Sequence, residues 1–253
     1  MHLIIGILAA AVIFGILVIV HEGGHFFAAK ATGVKVNEFS IGMGPLLLKK
    51  QKGETMYSVR LLPVGGYVAM EGEDIESDDD RSFSAKPAWA KLLILAAGPF
   101  MNFLFAFLVL TAMILLSGGA VSFLNAVYAA FRSCIEIEIT IFQTLMDLLC
   151  GAGSASDLVG PVGIVDVVDK SAQAGIPNLL LLTVLLSLNL GLFNILPFPA
   201  LDGGRILFVI LRKITGKAIS DELESRIHYA GILILFGLMI LITMKDINTF
   251  LFT

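Results

Sequence analysis

The residues best suited to chemistry are His21, Glu22 and His25, in the run His21-Glu22-Gly23-Gly24-His25. Residues four apart share one face of a helix, so both imidazoles can bind one metal ion. The pattern suits zinc (Zn2+), with Glu22 as general base on the metal's water. The run continues directly from an apolar stretch. Three polar groups inside a membrane are costly unless they have a task. With four histidines in the chain, this spacing is rare by chance.

Zinc needs a third protein ligand and leaves a fourth position for water. Asp202 is the best placed candidate. It stands in Asn194-Ile-Leu-Pro197-Phe-Pro199-Ala-Leu-Asp202-Gly-Gly. His2 lies at the outer end of the first apolar run and His228 at the start of the last. The run to His21 takes about 20 residues, and the run from Pro177 to Asp202 about 25, so both arrive at similar depth. The alternative is a turn aspartate before Gly203-Gly204. Asn194 is either an interhelical hydrogen bond or a donor to a substrate carbonyl or oxyanion. Pro197 and Pro199 break the helix and free nearby backbone to bind an extended peptide. Asn102, in the second apolar run, is interhelical glue or part of a site.

The elements that must position these groups are membrane helices. The 253 residues are 57% hydrophobic and 15% charged, where a soluble domain carries about 25% charge. Four spans are expected at about 3–27, 91–116, 177–197 and 228–244. The first has no small-residue cleavage site after it, so it reads as a retained helix rather than a signal peptide. Loop 28–90 is rich in Lys and Arg, as is the loop from Arg205 to Arg226. The connection between spans two and three holds only Arg132 and Lys170. Positive loops face the cytoplasm, which puts both termini outside and the active site near the cytoplasmic side.

Between the spans, residues 34–69 read as three or four short strands, with turns at Gly42–Pro45, Lys52–Gly53 and Pro63–Gly66. The acidic run 71–80 reads as a solvated flexible loop. Residues 122–150 carry Leu124, Tyr128, Phe131, Ile135, Phe142, Met146 and Leu149 at helical spacing. They read as an outer amphipathic helix, on the membrane surface or packed on the spans. GPVGIVDVV (160–168) offers a Gly-Pro turn and a short apolar stretch. Cys134 and Cys150 are expected as small packing residues. The fold class is therefore a membrane all-α core with four transmembrane helices, a small membrane-associated β-sheet and an outer amphipathic helix.

HEGGH in the first span, AAGPFMNF (96–103) in the second and NILPFPALDGGR (194–205) after the third resemble the site-2 protease family of intramembrane zinc metalloproteases. GPVGI (160–164) and SLNLGLFN (187–194) extend the match over nearly the whole chain. The nearest branch is the bacterial one that cleaves anti-sigma factors and remnant signal peptides. The resemblance implies His21, His25 and Asp202 as zinc ligands and Glu22 as catalytic base. It implies substrate contact at Asn194 and Pro197, and at Asn102. It also implies a sheet edge that holds unwound substrate, a place in the bacterial inner membrane, and single-span membrane proteins or signal peptides in the lipid bilayer as partners. No nucleic-acid partner is expected. The chain departs from that branch in lacking the roughly 100 residues of a PDZ domain, so residues 1–253 read as one protease domain. A catalytically silent zinc scaffold and a membrane transporter are the alternatives. Both Glu22 and Asn194 are present, which speaks against the first, and no internal repeat supports the second.

Overall fold

In a computed structural model, residues 2–73, 77–119, 121–153, 159–216 and 220–252 are described. The elements run α1 (His2–Ala31), β1 (Val36–Lys52), β2 (Thr55–Met70), α2 (Ala88–Leu116), α3 (Phe123–Leu149), α4 (Pro161–Gln173), α5 (Ile176–Ile195), α6 (Asp202–Thr215) and α7 (Asp221–Phe252). Among the described residues, four stretches are long and apolar enough to cross a membrane: Gly6–Ala31, Ala88–Leu116, Ile176–Ile195 and Glu222–Asn248. The four expected spans fall on them. The last helix begins earlier than its apolar run because its first turns are charged, with Arg226 paired to Glu222.

The chain divides into two compact units. One comprises residues up to 13, 103–192 and 233 onward. Its core holds Ala106, Leu110, Ala130, Cys134, Val184 and Leu188. Ser122 caps α3, its Oγ accepting from the Asn125 N–H at 3.3 Å. The packed seam of α3 is Ala126, Ala130 and Cys134, four residues apart. Tyr128, Phe131, Ile135, Phe142 and Met146 are instead exposed. Small residues let helix backbones approach closely, so the large apolar stripe is left for the surroundings. Cys134 packs as expected, but Cys150 is exposed beyond the last turn, which corrects its reading as a packing residue. The GPVGI stretch forms α4, with Pro161 in its first turn where no N–H is missed. Asp246 of α7 caps it, its Oδ2 accepting from the Gly163 N–H at 2.8 Å.

The other unit comprises residues 14–102 and 193–232. Its core joins Ala29, Val34, Val36, Val68, Met70, Phe83, Ile94 and Leu95. The expected short strands are present as paired segments of two long bent strands, β1 and β2. They pair from Lys52–Thr55 back to Leu46–Arg60. Residues 38–41 also pair on one side with 66–69 and on the other with 56–59. The sheet thus has four segments in the order 66–70, 36–41, 55–60, 46–52. Its bends fall at the expected turns, where Gly42, Gly53 and Gly65 take positive φ. The described part of the acidic run is tied down rather than loose. Glu71 accepts from Lys35 Nζ, Asn37 Nδ2 and Ser77 Oγ. The Phe83 N–H donates to Glu71 O at 2.7 Å. Residues 74–76 of that run lie outside the described residues.

Candidate metal centre

His21 and His25 lie one turn apart on α1, and Asp202 is the first residue of α6. The structure brings all three together. The two Nε2 atoms are 3.2 Å apart. Asp202 Oδ2 lies 3.2 Å from His21 Nε2 and 3.3 Å from His25 Nε2. This is a nearly equilateral triangle of lone-pair donors. Tetrahedral bonds of about 2.0–2.1 Å to zinc would set ligand atoms about 3.3–3.4 Å apart. Among the described residues, nothing but these two imidazole nitrogens comes to buried Asp202 Oδ2, and neither makes a hydrogen bond to it, although buried polar atoms are normally satisfied. Two imidazoles and a carboxylate also suit a catalytic zinc, which keeps one position open. The residues present therefore fit the metal.

The surroundings turn each of the three donors inward. His25 Nδ1 donates to the Ile94 carbonyl at 2.8 Å, which leaves its Nε2 lone pair for a metal. That carbonyl lies in the turn of α2 loosened by Pro99, which lacks the N–H that Leu95 would accept. His21 Nδ1 lies 3.0 Å from the side-chain amide of Asn102. The atom facing the ring is Asn102 Nδ2; with a metal on Nε2, Nδ1 would carry the proton, and the amide, turned by half a rotation, would accept it through its oxygen. Burial by itself would raise the Asp202 carboxyl, but the imidazoles beside it hold it below the usual carboxylate range. The N-terminus of α6 also favours the anion.

Close backbone approach completes the site. A Cβ on Gly24 would lie 2.3 Å from the Ala97 carbonyl oxygen, so α1 and α2 cross at glycine. A Cβ on Gly98 would lie 2.3 Å from His25 Nε2. Glu22 is half-buried, and a Cβ on Gly66 of β2 would lie 3.2 Å from its Cγ. The sheet therefore passes directly over the residue next to the ligands. Asn194 is half-buried in the last turn of α5, and Pro197 is exposed in the loop that leads to Asp202. The contacts of Gly66 and Gly98 were not singled out from the sequence. The Gly-Pro step inside an apolar helix was the one local sign of Gly98.

The sequence profile described as peptidase family M50 matches residues 9–238. The chain is 30% identical to a Clostridium perfringens protein named as a candidate zinc metalloprotease, over 98% of each chain. It is 26% identical to the regulator of sigma-W protease RasP of Bacillus subtilis, over 96% of this chain and 98% of that one. It is 25% identical to the zinc metalloprotease RasP of Shouchella clausii, with the same coverage. These alignments run over 334, 413 and 411 positions, more than the 253 residues present, so each relative carries stretches that this chain lacks. With its apolar helices, its metal-suited donor triangle and a family match over most of its length, the chain belongs to peptidase family M50, the zinc metalloproteases of the site-2 type.

Proposed function

We propose that the protein hydrolyses peptide bonds in the transmembrane segments of single-span membrane proteins, or in remnant signal peptides, with His21, His25 and Asp202 as zinc ligands and Glu22 as general base. The observation that carries this reading is the donor triangle with edges of 3.2, 3.2 and 3.3 Å, one residue from Glu22. Bound zinc supplies Lewis acidity to a scissile carbonyl and lowers the pKa of water. Glu22 takes the proton of the attacking water and returns it to the leaving amine. Asn194 donates to the charge developing on the carbonyl oxygen. Pro197 keeps the adjoining backbone out of helical pairing, free for an extended peptide. Asn102 is fully buried and adjoins His21 Nδ1, which supports a role in orienting that ligand more than direct substrate contact.

The sheet has a matching use. Among the described residues, segment 46–52 pairs with 55–60 alone, and Leu46, Leu47 and Leu48 are exposed along it. An unwound peptide can add there as a strand, gaining main-chain hydrogen bonds. The charge bias of the loops supports both termini outside a bacterial inner membrane, with the site near the cytoplasmic face.

Wild type and E22Q, purified and reconstituted with a model single-span substrate, test the proposal. The variant is expected to bind zinc normally and to cleave about 10²- to 10⁴-fold more slowly. Equal cleavage by both would overturn the proposal. Metal flux into vesicles without proteolysis would point to a transporter instead.

A further inference from the structure

The loop before Asp202 is held from two sides. On one side lies the first turn of α6. A Cβ on Gly203 would lie 2.1 Å from Leu196 O, and one on Gly204 2.4 Å from Phe198 O. On the other side lies α7. A Cβ on Gly231 would lie 2.5 Å from Pro199 O. One turn earlier on the same face, His228 Nδ1 accepts the Ala200 N–H at 2.9 Å. Ala200 has φ +80°, the one non-glycine residue with positive φ among the described residues. Side chains rarely adopt that region, so the conformation needs support from outside the loop. Ala200 stands two residues before Asp202.

The rest of the His228 environment suits this use. An Nδ1 that accepts an N–H leaves the ring proton on Nε2. Nε2 faces Glu224 Oε1 at 3.8 Å, and a carboxylate on that side favours this tautomer. Glu224 is itself paired with Arg212 of α6. The ring also lies 5.6 Å from that of Phe208, again on α6. A chain of contacts thus runs from α6 through Arg212, Glu224 and His228 back to the loop that starts α6.

We propose that His228 is a positioning residue for the metal centre: its Nδ1 holds Ala200 in the left-handed conformation that aims Asp202 at His21 and His25. The inference rests on Asp202 being a zinc ligand. The experiment measures zinc affinity by chelator competition on the full chain in detergent. H228L is expected to bind zinc about tenfold more weakly, as for loss of other groups that orient a ligand. H228N, whose amide oxygen can take the place of Nδ1, is expected to stay close to wild type. A200G should recover much of the loss in the H228L background, because glycine takes positive φ unaided. Wild-type affinity in H228L, an H228N as weak as H228L, or no recovery by A200G would each overturn the proposal. D202A separates the two levels of the argument. If it binds zinc like wild type, the metal-site reading itself fails. If it loses zinc while H228L does not, only the role of His228 fails.

Discussion

At the scale of single residues, the candidate metal centre depends on the absence of atoms as much as on its donor groups. A methyl group at Gly98 would lie 2.3 Å from His25 Nε2, 2.6 Å from His25 Cε1 and 2.9 Å from His21 Cε1. No rotamer change at that position could relieve this, since a Cβ is fixed by the backbone. Both imidazoles would have to move, or α2 would have to retreat from α1. Overpacking of this kind costs about 1–3 kcal/mol, a loss the helices can survive but a ligand triangle cannot. G98A is therefore expected to remain helical and membrane-inserted while losing bound zinc and cleavage. Circular dichroism and the zinc content of the purified protein check this, and full zinc occupancy would refute it. The closeness of His21 and His25 was legible in the sequence because it needs one helix only. The approach of Asp202 to them was legible through depth. The need for glycine at 98 was not, because it arises from two helices meeting.

At the scale of elements, two joints between secondary structures are made by buried or half-buried carboxylates. Asp246 reaches from α7 to the N-terminus of α4, where its carboxylate accepts from Gly163 N–H at 2.8 Å and meets the positive end of the helix dipole. D246A would leave that N–H unpaired, a loss of about 1–3 kcal/mol. D246N, with an amide oxygen still able to accept, should lose less. Thermal unfolding in detergent is the measure, and an unchanged D246A midpoint would contradict the capping role. At the sheet, the Ser77 hydroxyl, the Asn37 amide and the Lys35 ammonium pull the Glu71 carboxyl from 4.5 down to about 2. Its folded pKa is depressed, so its contribution is full above pH 4.5 and is lost as pH falls through about 2. The stability deficit of E71Q relative to wild type should therefore shrink over that window. A deficit independent of pH would show that Glu71 acts by packing. Composition marked residues 71–80 as a solvated acidic run. Their partners Lys35, Asn37 and Arg205 come from other parts of the chain, which is why charge pattern alone missed them. The bends of the sheet were legible because glycine marks them. The continuity of β1 and β2 across those bends was not, since it depends on pairing partners.

At the scale of the whole molecule, the remaining question is orientation, and the chain carries its own probe. The loops 28–90 and 205–226 hold the larger share of Lys and Arg, while the connection from α2 to α5 is poor in them. Basic loops are retained on the cytoplasmic side, so that connection, with α3 and α4, is expected to face outward. Its two cysteines differ in access: Cys134 is buried and Cys150 exposed. Burial also pushes the Cys134 thiol up to about 11, so it holds little reactive thiolate at neutral pH. A membrane-impermeant maleimide added to intact cells is therefore expected to label one site, Cys150, and C150S should abolish the signal while C134S leaves it. In inside-out vesicles the same reagent should label neither cysteine until detergent is added. The reverse pattern would invert the chain in the membrane. It would overturn the placing of the basic loops 28–90 and 205–226 on the cytoplasmic side.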